Sequence, residues 1–360
     1  MKTRWWWLGL WLLMLPLLAK EYPSRGGKEG TLTLYSTLDT AVFEPLVMDF
    51  QQVHPGISVR YENLDATPQY ERYVREERAG THKADVLIST AMDLQIKLVN
   101  DGYAARHLSL STSALPTWAR WRNEAFGFTF EPAVMVFNRQ AMKGRAIPQS
   151  RAELIDQIRR DPGFWRGKIG TYDISKSSVG YLLASQDVRH SSEFGALVEA
   201  FGDVNLQVEE HTATLLDRIA SGDLIAGYNL LGSYARTYPG SDRNFLLVYP
   251  RDHTLVVSRT VVISKNAPNP ALAHRFLEYL LSVRGQRVMA TQCGLPPIRQ
   301  ELDGVYERLG VNESQIGVLR PVQLGPGLLV YLDQEKRRQM LDVWRAILGP
   351  SKSRGGAKDP

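Results

Sequence analysis

The chain has 360 residues, of which 44% are hydrophobic and 22% are charged, and its formal net charge is +5. This length allows two domains with a substantial core in each, and the composition excludes an intrinsically disordered chain. The small, dispersed excess of basic residues argues against a nucleic-acid partner. Cys293 is the only cysteine, which excludes an intramolecular disulfide and a zinc site built from cysteines.

The N-terminus has the pattern of a secretory signal. Lys2 and Arg4 precede Trp5 to Ala19, an uncharged apolar run that is too short to span a membrane comfortably. We expect residues 1–19 to direct the protein to the periplasm as a signal peptide. Leu17 is larger than the residue usual at that distance from a cleavage site after Ala19, so retention as an uncleaved anchor is the alternative.

Predicted strands and helices alternate after a polar lead-in. The strands are Thr31–Tyr35, Ile57–Tyr61 and Ala84–Ile88, and the helices are Val42–Val53, Gln69–Ala79 and a segment ending near Asp101. This order is typical of an α/β lobe with a mainly parallel sheet.

The next two extended runs, Phe126–Phe130 and Val134–Asn138, are split by Glu131-Pro132, and we interpret them as a crossing to a second lobe. A second α/β series then runs to the apolar strand that ends at Tyr228. Extended runs at Leu246–Tyr249 and Thr254–Ile263 predict a return to the first lobe. One helix over Pro270–Gln292 and a final helix over Gln334–Ile347 are predicted to follow.

The fold class predicted from this order is a two-lobed α/β architecture with connecting strands and a cleft between the lobes. The expected division is a first lobe over residues 28–131, a second lobe over 132–254, a return to the first lobe with the C-terminal helices over 255–348, and a flexible polar tail over 349–360. A cleft between lobes is a favoured place for a ligand.

Hydroxyl-bearing residues recur where predicted strands end and helices begin. The four edges lie at Ser36-Thr37, at Ser89-Thr90, at Ser175 to Ser178 and at Asn229 to Tyr234. Hydroxyl groups and unpaired N–H groups at helix N-termini attract anions. Helix capping is the alternative explanation for each edge taken alone, but four such edges together favour an anionic or oxygen-rich ligand.

Arg259 interrupts an apolar predicted strand near the return crossing, where an unpaired guanidinium would be costly. It requires either a ligand phosphate or carboxylate, or an internal carboxylate such as Glu131 or Asp252. The tyrosines Tyr172, Tyr181, Tyr228 and Tyr234 could stack on a ligand or pack internally. The predicted ligand-binding residues are Ser36, Thr37, Ser89, Thr90, Ser177, Ser178, Asn229, Gly232, Ser233, Tyr234 and Arg259.

The sequence has no G-x-S-x-G elbow, phosphate-binding P-loop or dinucleotide-binding glycine motif, and its seven histidines have no metal-ligand spacing. We therefore predict no catalytic residue, no metal site and no cofactor.

The segments Leu32–Thr37, Phe50–Ile57, Ala84–Thr90 and Gly285–Val288 resemble the extracytoplasmic solute-binding proteins of ABC transporters, in the branch that includes ferric-iron, sugar-phosphate and phosphonate binders. The resemblance covers about residues 30–300. It implies a type II periplasmic binding fold, a monomer, closure of the lobes on a ligand, and docking on a membrane permease.

One departure from this family bears on the ligand. Its iron-binding members carry adjacent tyrosines after the strand that matches Ala226–Asn229, and this chain has Leu230-Leu-Gly-Ser233 there. A small anionic solute, phosphorylated, phosphonate-bearing or carboxylic, is therefore the leading expectation. Ferric iron, a sensing role with a membrane histidine kinase, and hydrolysis of a phosphate ester are the alternatives.

Overall fold

The structure is a computed structural model that describes residues 19–299 and 316–348. The predicted signal peptide, apart from its last residue, and the predicted flexible tail lie outside the described residues. Within the described ranges, no helix has the length and apolar character that crossing a membrane would need.

Strands and helices alternate along most of the described chain. The strands are β1 (Lys20–Tyr22), β2 (Gly30–Ser36), β3 (Ile57–Asn63), β4 (Val86–Ser89), β5 (Arg120–Trp121), β6 (Ala125–Gly127), β7 (Glu131–Asn138), β8 (Ile169–Tyr172), β9 (Gln207–Glu209), β10 (Ala226–Leu231), β11 (Phe245–Val248), β12 (Thr254–Val257), β13 (Thr260–Ile263) and β14 (Leu319–Pro321). The α-helices are α1 (Thr40–Val53), α2 (Ala66–Arg78), α3 (Met92–Asn100), α4 (Leu110–Ser113), α5 (Arg151–Arg160), α6 (Pro162–Trp165), α7 (Ser178–His190), α8 (Phe194–Asp203), α9 (Thr212–Ala220), α10 (Gly232–Thr237), α11 (Ser241–Asn244), α12 (Pro270–Leu281), α13 (Val283–Gln292) and α14 (Gln334–Leu348).

The first lobe is built on a sheet with the order β1-β3-β2-β4-β13-β6-β5. Its centre is parallel, since β2 pairs in parallel with both β3 and β4, and β13 then adds antiparallel to β4. The apolar face of α1, including Phe43 and Phe50, packs with Phe276 of α12 into one buried cluster. The alternation of predicted strands and helices is therefore observed here.

The second lobe is built on a sheet with the order β14-β12-β7-β10-β8-β9, and β11 pairs with β7. Strands β10, β8 and β9 run parallel, whereas β7 is antiparallel to β10 and to β12. Two sheets flanked by helices confirm the predicted two-lobed α/β fold.

Two chain segments that the structure describes, residues 128–130 and 258–259, run side by side between the lobes. The chain leaves the first sheet after β6 and enters the second at β7, and it returns between β12 and β13 through Ser258 and Arg259. The two crossings are hydrogen-bonded to each other: the Phe128 N–H donates to the Arg259 carbonyl (3.0 Å), and the Arg259 N–H donates to Thr129 Oγ1 (2.8 Å). We call residues 128–130 and 258–259 the hinge. The chain returns to the first lobe only after β12, because β12 still belongs to the second sheet.

The predicted helix over Pro270–Gln292 is wrong in one respect, because the structure contains two helices, α12 and α13, separated at Ser282. Ser282 has an extended backbone with ψ of 158°, and its side chain accepts the Gly285 N–H (3.0 Å). The apolar periodicity continues across the break and therefore predicted a single helix. The cap at Ser282 ends α12 and begins α13. The polar lead-in also contains β1, which pairs with β3.

The C-terminal segment touches both lobes. Strand β14 pairs with β12 of the second sheet, and Trp344 of α14 stacks on Phe194 of α8 with ring centroids 6.4 Å apart. The turn before α14 also reaches the first lobe, because Leu328 is buried in the same cluster as Met92 of α3. The sequence left open the lobe to which the final helix belongs. The contact of Trp344 with Phe194 shows that this helix packs on the second lobe.

Candidate functional site: the interlobe cleft

A cleft of 640 Å³ lies between the lobes in front of the hinge. The first lobe contributes Thr37, Asp39, Asn63, Asp65, Thr67 and Thr90. The second lobe contributes Tyr172, residues 175–179, residues 210–214, Leu231 and Tyr234. Arg259 of the hinge and Arg337 of α14 also line the cavity. The volume is in the range of small-molecule sites in proteins.

The helices α2, α7 and α9 are among those that begin at this cleft. The N-cap residues of α2, α7 and α9 are Asp65, Ser177 and His211, and all three line the cleft together with residues of the following turn. The first N–H groups of a helix have no partner within the helix, and its N-terminus carries a partial positive charge. Neither Asp65 nor His211 caps its helix with a side-chain hydrogen bond. The cleft is thus surrounded by positive helix ends.

Arg259 forms a buried ion pair at the hinge. Its side chain is 1% exposed, and its Nε lies 2.9 Å from Oε1 of Glu131, which is fully buried. The Nε–H does not point at this oxygen, and Nη2 of Arg259 instead donates a hydrogen bond to Oε2 of Glu131 (3.4 Å). Glu131 also accepts hydrogen bonds from Thr129 (2.8 Å) and Ser233 (2.5 Å). Of the two internal partners that the sequence allowed, Glu131 is the one present.

Six of the predicted ligand-binding residues line the cleft, with at least one from each of the four strand ends. They are Thr37, Thr90, Ser177, Ser178, Tyr234 and Arg259. Each strand end therefore reaches the same cavity. Two serines next to them do not line it, because their hydroxyl groups accept local N–H groups: Ser36 from Leu38 (3.1 Å) and Ser89 from Ala91 (3.1 Å).

The strand end at β10 contributes less to the lining than its sequence suggested. Ser233 is buried on Glu131. Gly232 lies so close to β7 that an added Cβ would be 3.0 Å from the Pro132 carbonyl oxygen. Asn229 adopts a left-handed backbone with φ of 58° at an irregularity in the β10–β7 pairing, and its side chain donates to Asp187 (2.5 Å), away from the cleft.

Several lining residues were not predicted from the sequence. They include Asp39, Asn63, Asp65, Thr67, Lys176, Glu210, His211, Thr212 and Arg337. Asp65 and His211 stand at helix starts that follow strands, which is the same pattern that indicated the serines. Arg337 lies in an amphipathic helix far along the chain, where no local pattern distinguishes it from its charged neighbours.

The charges of the cleft are arranged by depth. Asp39, Asp65 and Glu210 are exposed, whereas Arg259 is buried and Arg337 is half-buried. The two guanidinium groups are therefore less exposed than the three carboxylates, which share the exposed lining with Lys176, and one of the two, Arg259, is paired with Glu131. Among the described residues, no group of three or more His, Cys, Asp or Glu side chains could hold a metal ion.

The lobes touch across the rim at two points. Thr67 Oγ1 of the first lobe lies 3.2 Å from Ser178 Oγ of the second, and the Tyr234 hydroxyl donates to Asp39 Oδ2 at 3.5 Å. Side chains from both lobes are thus near enough to contact one ligand together.

Asp93 of α3 gives the molecule a measurable pH dependence. The side chain is buried, and burial raises its pKa to about 6, although the Leu94 N–H and the charge of Arg337 act in the opposite direction. The folded state therefore holds this proton more tightly than the unfolded state does. The resulting stability is fully present below about pH 4 and is lost as the pH rises through 6.

Asp93→Asn should remove this loss. At pH 7.5 we expect a free energy of unfolding about 1–3 kcal/mol above that of the native sequence, with the difference shrinking towards pH 4. Urea unfolding at both pH values measures it. Asp101→Asn, at the exposed end of the same helix, is the control. A constant difference across the pH range would contradict the raised pKa.

Comparisons with known proteins identify the family. Residues 81–308 match the family model of bacterial extracellular solute-binding proteins. The substrate-binding protein of an ABC transporter from Agrobacterium tumefaciens is 37% identical, and the alignment covers 92% of this chain and 99% of that one with a TM-score of 0.83. A sequence search of curated proteins finds no significant match.

Two more distant structures share the fold. AfuA from Actinobacillus pleuropneumoniae, with exogenous fructose 6-phosphate bound, is 16% identical over 89% of this chain and 99% of its own, with a TM-score of 0.72. Iron-bound HitA from Pseudomonas aeruginosa is 18% identical over 88% of this chain and 99% of its own, with a TM-score of 0.66. The resemblance inferred from the sequence is confirmed, and the chain belongs to the bacterial extracellular solute-binding proteins, with the type II periplasmic binding fold.

Proposed function

We propose that this protein is the substrate-binding component of an ABC importer and that it captures a small anionic solute in the interlobe cleft. The observation that carries the proposal is the convergence of the N-termini of α2, α7 and α9 on the cleft, together with the guanidinium groups of Arg259 and Arg337. Helix N-termini and guanidinium groups are the protein groups that bind phosphate and carboxylate best.

The rim favours a ligand that also carries hydroxyl groups. Asp39, Asp65 and Glu210 are exposed carboxylates, which accept hydrogen bonds but repel a bare anion. A phosphorylated polyol satisfies both regions, with its phosphate near the two guanidinium groups and its hydroxyls near the exposed carboxylates. The fructose 6-phosphate bound to AfuA is consistent with such a ligand.

Capture works by closure of the lobes about the hinge. Thr37 and Thr90 lie on the first lobe and Ser177, Ser178 and Tyr234 on the second, so a ligand bonded to both sets holds the lobes together. The closed form then docks on the permease, and residues 1–19 export the protein beforehand. The role is binding and transport, without catalysis.

Ferric iron is a weaker candidate because of the donor set. Tyr234 and Tyr172 line the cleft, but the Tyr172 hydroxyl is 2.6 Å from Thr212 Oγ1, and burial raises the pKa of both phenols. Tyr228 is buried on Arg151 and Asp187 and does not line the cleft. Fe(III) needs deprotonated phenolates, which this arrangement disfavours.

A thermal-shift panel on the chain without residues 1–19 tests the proposal. The panel contains hexose phosphates, phosphoglycerates, phosphonates, di- and tricarboxylates, the neutral parent sugars and Fe(III) citrate. A ligand at about 100 times its dissociation constant adds about 2.7 kcal/mol to the free energy of unfolding and raises the melting temperature by several degrees. We expect this rise with a phosphorylated polyol. A rise with Fe(III) citrate that citrate alone does not give would contradict the proposal.

A further inference from the structure

Arg337 enters the cleft from an unexpected direction, the first turn of the last described helix. Asp333 caps this turn, since its Oδ1 accepts the N–H groups of Glu335 and Lys336, both at 3.1 Å. The Arg337 N–H then donates to the Asp333 carbonyl (2.9 Å). The cap fixes where the helix begins, and therefore which of its side chains face the cleft.

The Arg337 guanidinium is held on an aromatic surface. Its central carbon lies 4.4 Å from the ring centroid of Tyr181. Tyr181 is 1% exposed, and its hydroxyl donates to the Tyr331 carbonyl (2.7 Å), so the ring is fixed to the segment that precedes α14. A guanidinium in a cation–π contact can still donate hydrogen bonds to a ligand through the N–H groups that do not face the ring.

Arg337 differs from the two fully buried arginines in having no carboxylate within ion-pair distance, although its charge acts on the buried Asp93 from further away. Arg259 is paired with Glu131 and Arg151 with Asp187, whereas no carboxylate in the described part of the chain lies within 4.0 Å of the Arg337 guanidinium. A half-buried cation that faces a cavity without a directly paired carboxylate attracts an anion more strongly than one that is already neutralised.

The helix that carries Arg337 is firmly attached to the second lobe. Trp344 stacks on Phe194 with an angle of 20° between the rings, and Met340 and Leu341 pack on the cluster that contains Tyr181. Gly202 of α8 allows a close approach, because a Cβ there would lie 2.6 Å from the Ile347 carbonyl oxygen. Arg337 therefore moves with the second lobe and keeps its position relative to α7 and α9.

We propose that Arg337 binds the anionic group of the cleft ligand, and that the C-terminal helix is for this reason part of the ligand site. The proposal rests on the proposed function of the cleft. Two edge N–H groups of Arg337 donate to two oxygens of a phosphate, phosphonate or carboxylate, and the N-termini of α7 and α9 contact the same group. Arg259, neutralised by Glu131, contributes less to the charge preference.

The test compares Arg337→Ala with Arg338→Ala, which removes an exposed arginine of the same turn that pairs with Glu335. Calorimetric titrations use glucose 6-phosphate, 3-phosphoglycerate, 2-aminoethylphosphonate, citrate and the neutral parent glucose. For each anion that the native sequence binds, we expect a loss of affinity of about 10- to 100-fold in Arg337→Ala and less than twofold in Arg338→Ala. Arg337→Gln, which keeps a planar group on Tyr181, is used if the alanine variant unfolds.

The outcomes separate this inference from the proposed function. Equal anion affinities in the Arg337 and Arg338 variants would overturn the role of Arg337 and leave the cleft's function intact. If the native protein binds none of the four anions, or binds glucose alone, the anionic ligand class fails and this inference fails with it. A selective loss in the Arg337 variants supports both.

Discussion

Arg151→Ala is expected to lower the free energy of unfolding by about 3–5 kcal/mol, because it leaves a carboxylate buried without its counterion. The Arg151 side chain is 1% exposed, and its guanidinium contacts Asp187 (2.9 Å), Asp252 (2.8 Å) and the Tyr228 hydroxyl (2.6 Å). Asp187 is fully buried and also accepts from Asn229. Burial disfavours its charged form, yet the charge of Arg151 and these hydrogen bonds hold the pKa of Asp187 below its ordinary value.

Urea unfolding measures the effect. Arg145→Ala is the matched control, since Arg145 forms an exposed ion pair with Asp161 (3.0 Å) that solvent screens and that should contribute much less to stability. Because the pKa of Asp187 is depressed, the stability that the network provides is present at neutral pH and is lost in acid, as the pH falls through that value. Equal losses in the two variants would show that the buried network is not a stabilising unit.

Arg259→Ala should be nearly as destabilising, at about 3–5 kcal/mol, because it removes the guanidinium that pairs with the fully buried Glu131 beside the hinge. The double variant Glu131→Gln with Arg259→Met removes both charges, and we expect it to lose less stability than Arg259→Ala alone. The glutamine carbonyl oxygen can still accept one of the hydrogen bonds that Thr129 and Ser233 donate to the two oxygens of Glu131, and its NH2 group can donate to the other hydroxyl oxygen.

Thermal and urea unfolding of the three proteins measure this difference. A double variant that is less stable than Arg259→Ala would contradict the assignment of Glu131 as the group that Arg259 neutralises.

The same variants also test ligand binding, because loss of the neutralised Arg259 should weaken anion binding less than loss of Arg337.

Local pattern predicted the fold well where one face of each element is buried. The periodicity of α1 and the apolar run of β4 were sufficient for element type and order, and the short runs around Glu131-Pro132 located one crossing between lobes. The break at Ser282 was missed because a single hydroxyl group decides it, while the apolar pattern on either side continues.

The site was predicted in part, for a physical reason. Strand ends locate the cleft, but neighbouring residues at a strand end point in opposite directions. Thr37 and Thr90 therefore line the cleft. The side chains of Ser36 and Ser89 instead accept hydrogen bonds from the local backbone. Arg337 is brought to the cleft by contacts far apart in the sequence, such as Trp344 on Phe194 and Tyr181 with Tyr331, which no local pattern encodes.

The most direct test of the central claim is a calorimetric titration of the native protein with ligand pairs that differ only in one phosphate, such as glucose 6-phosphate and glucose, at two salt concentrations. An anion-binding cleft predicts tighter binding of the phosphorylated member, with an affinity that falls moderately as salt increases, because the interior of the cleft is only partly screened. Equal affinity for both members, or tighter binding of the neutral sugar, would contradict the account.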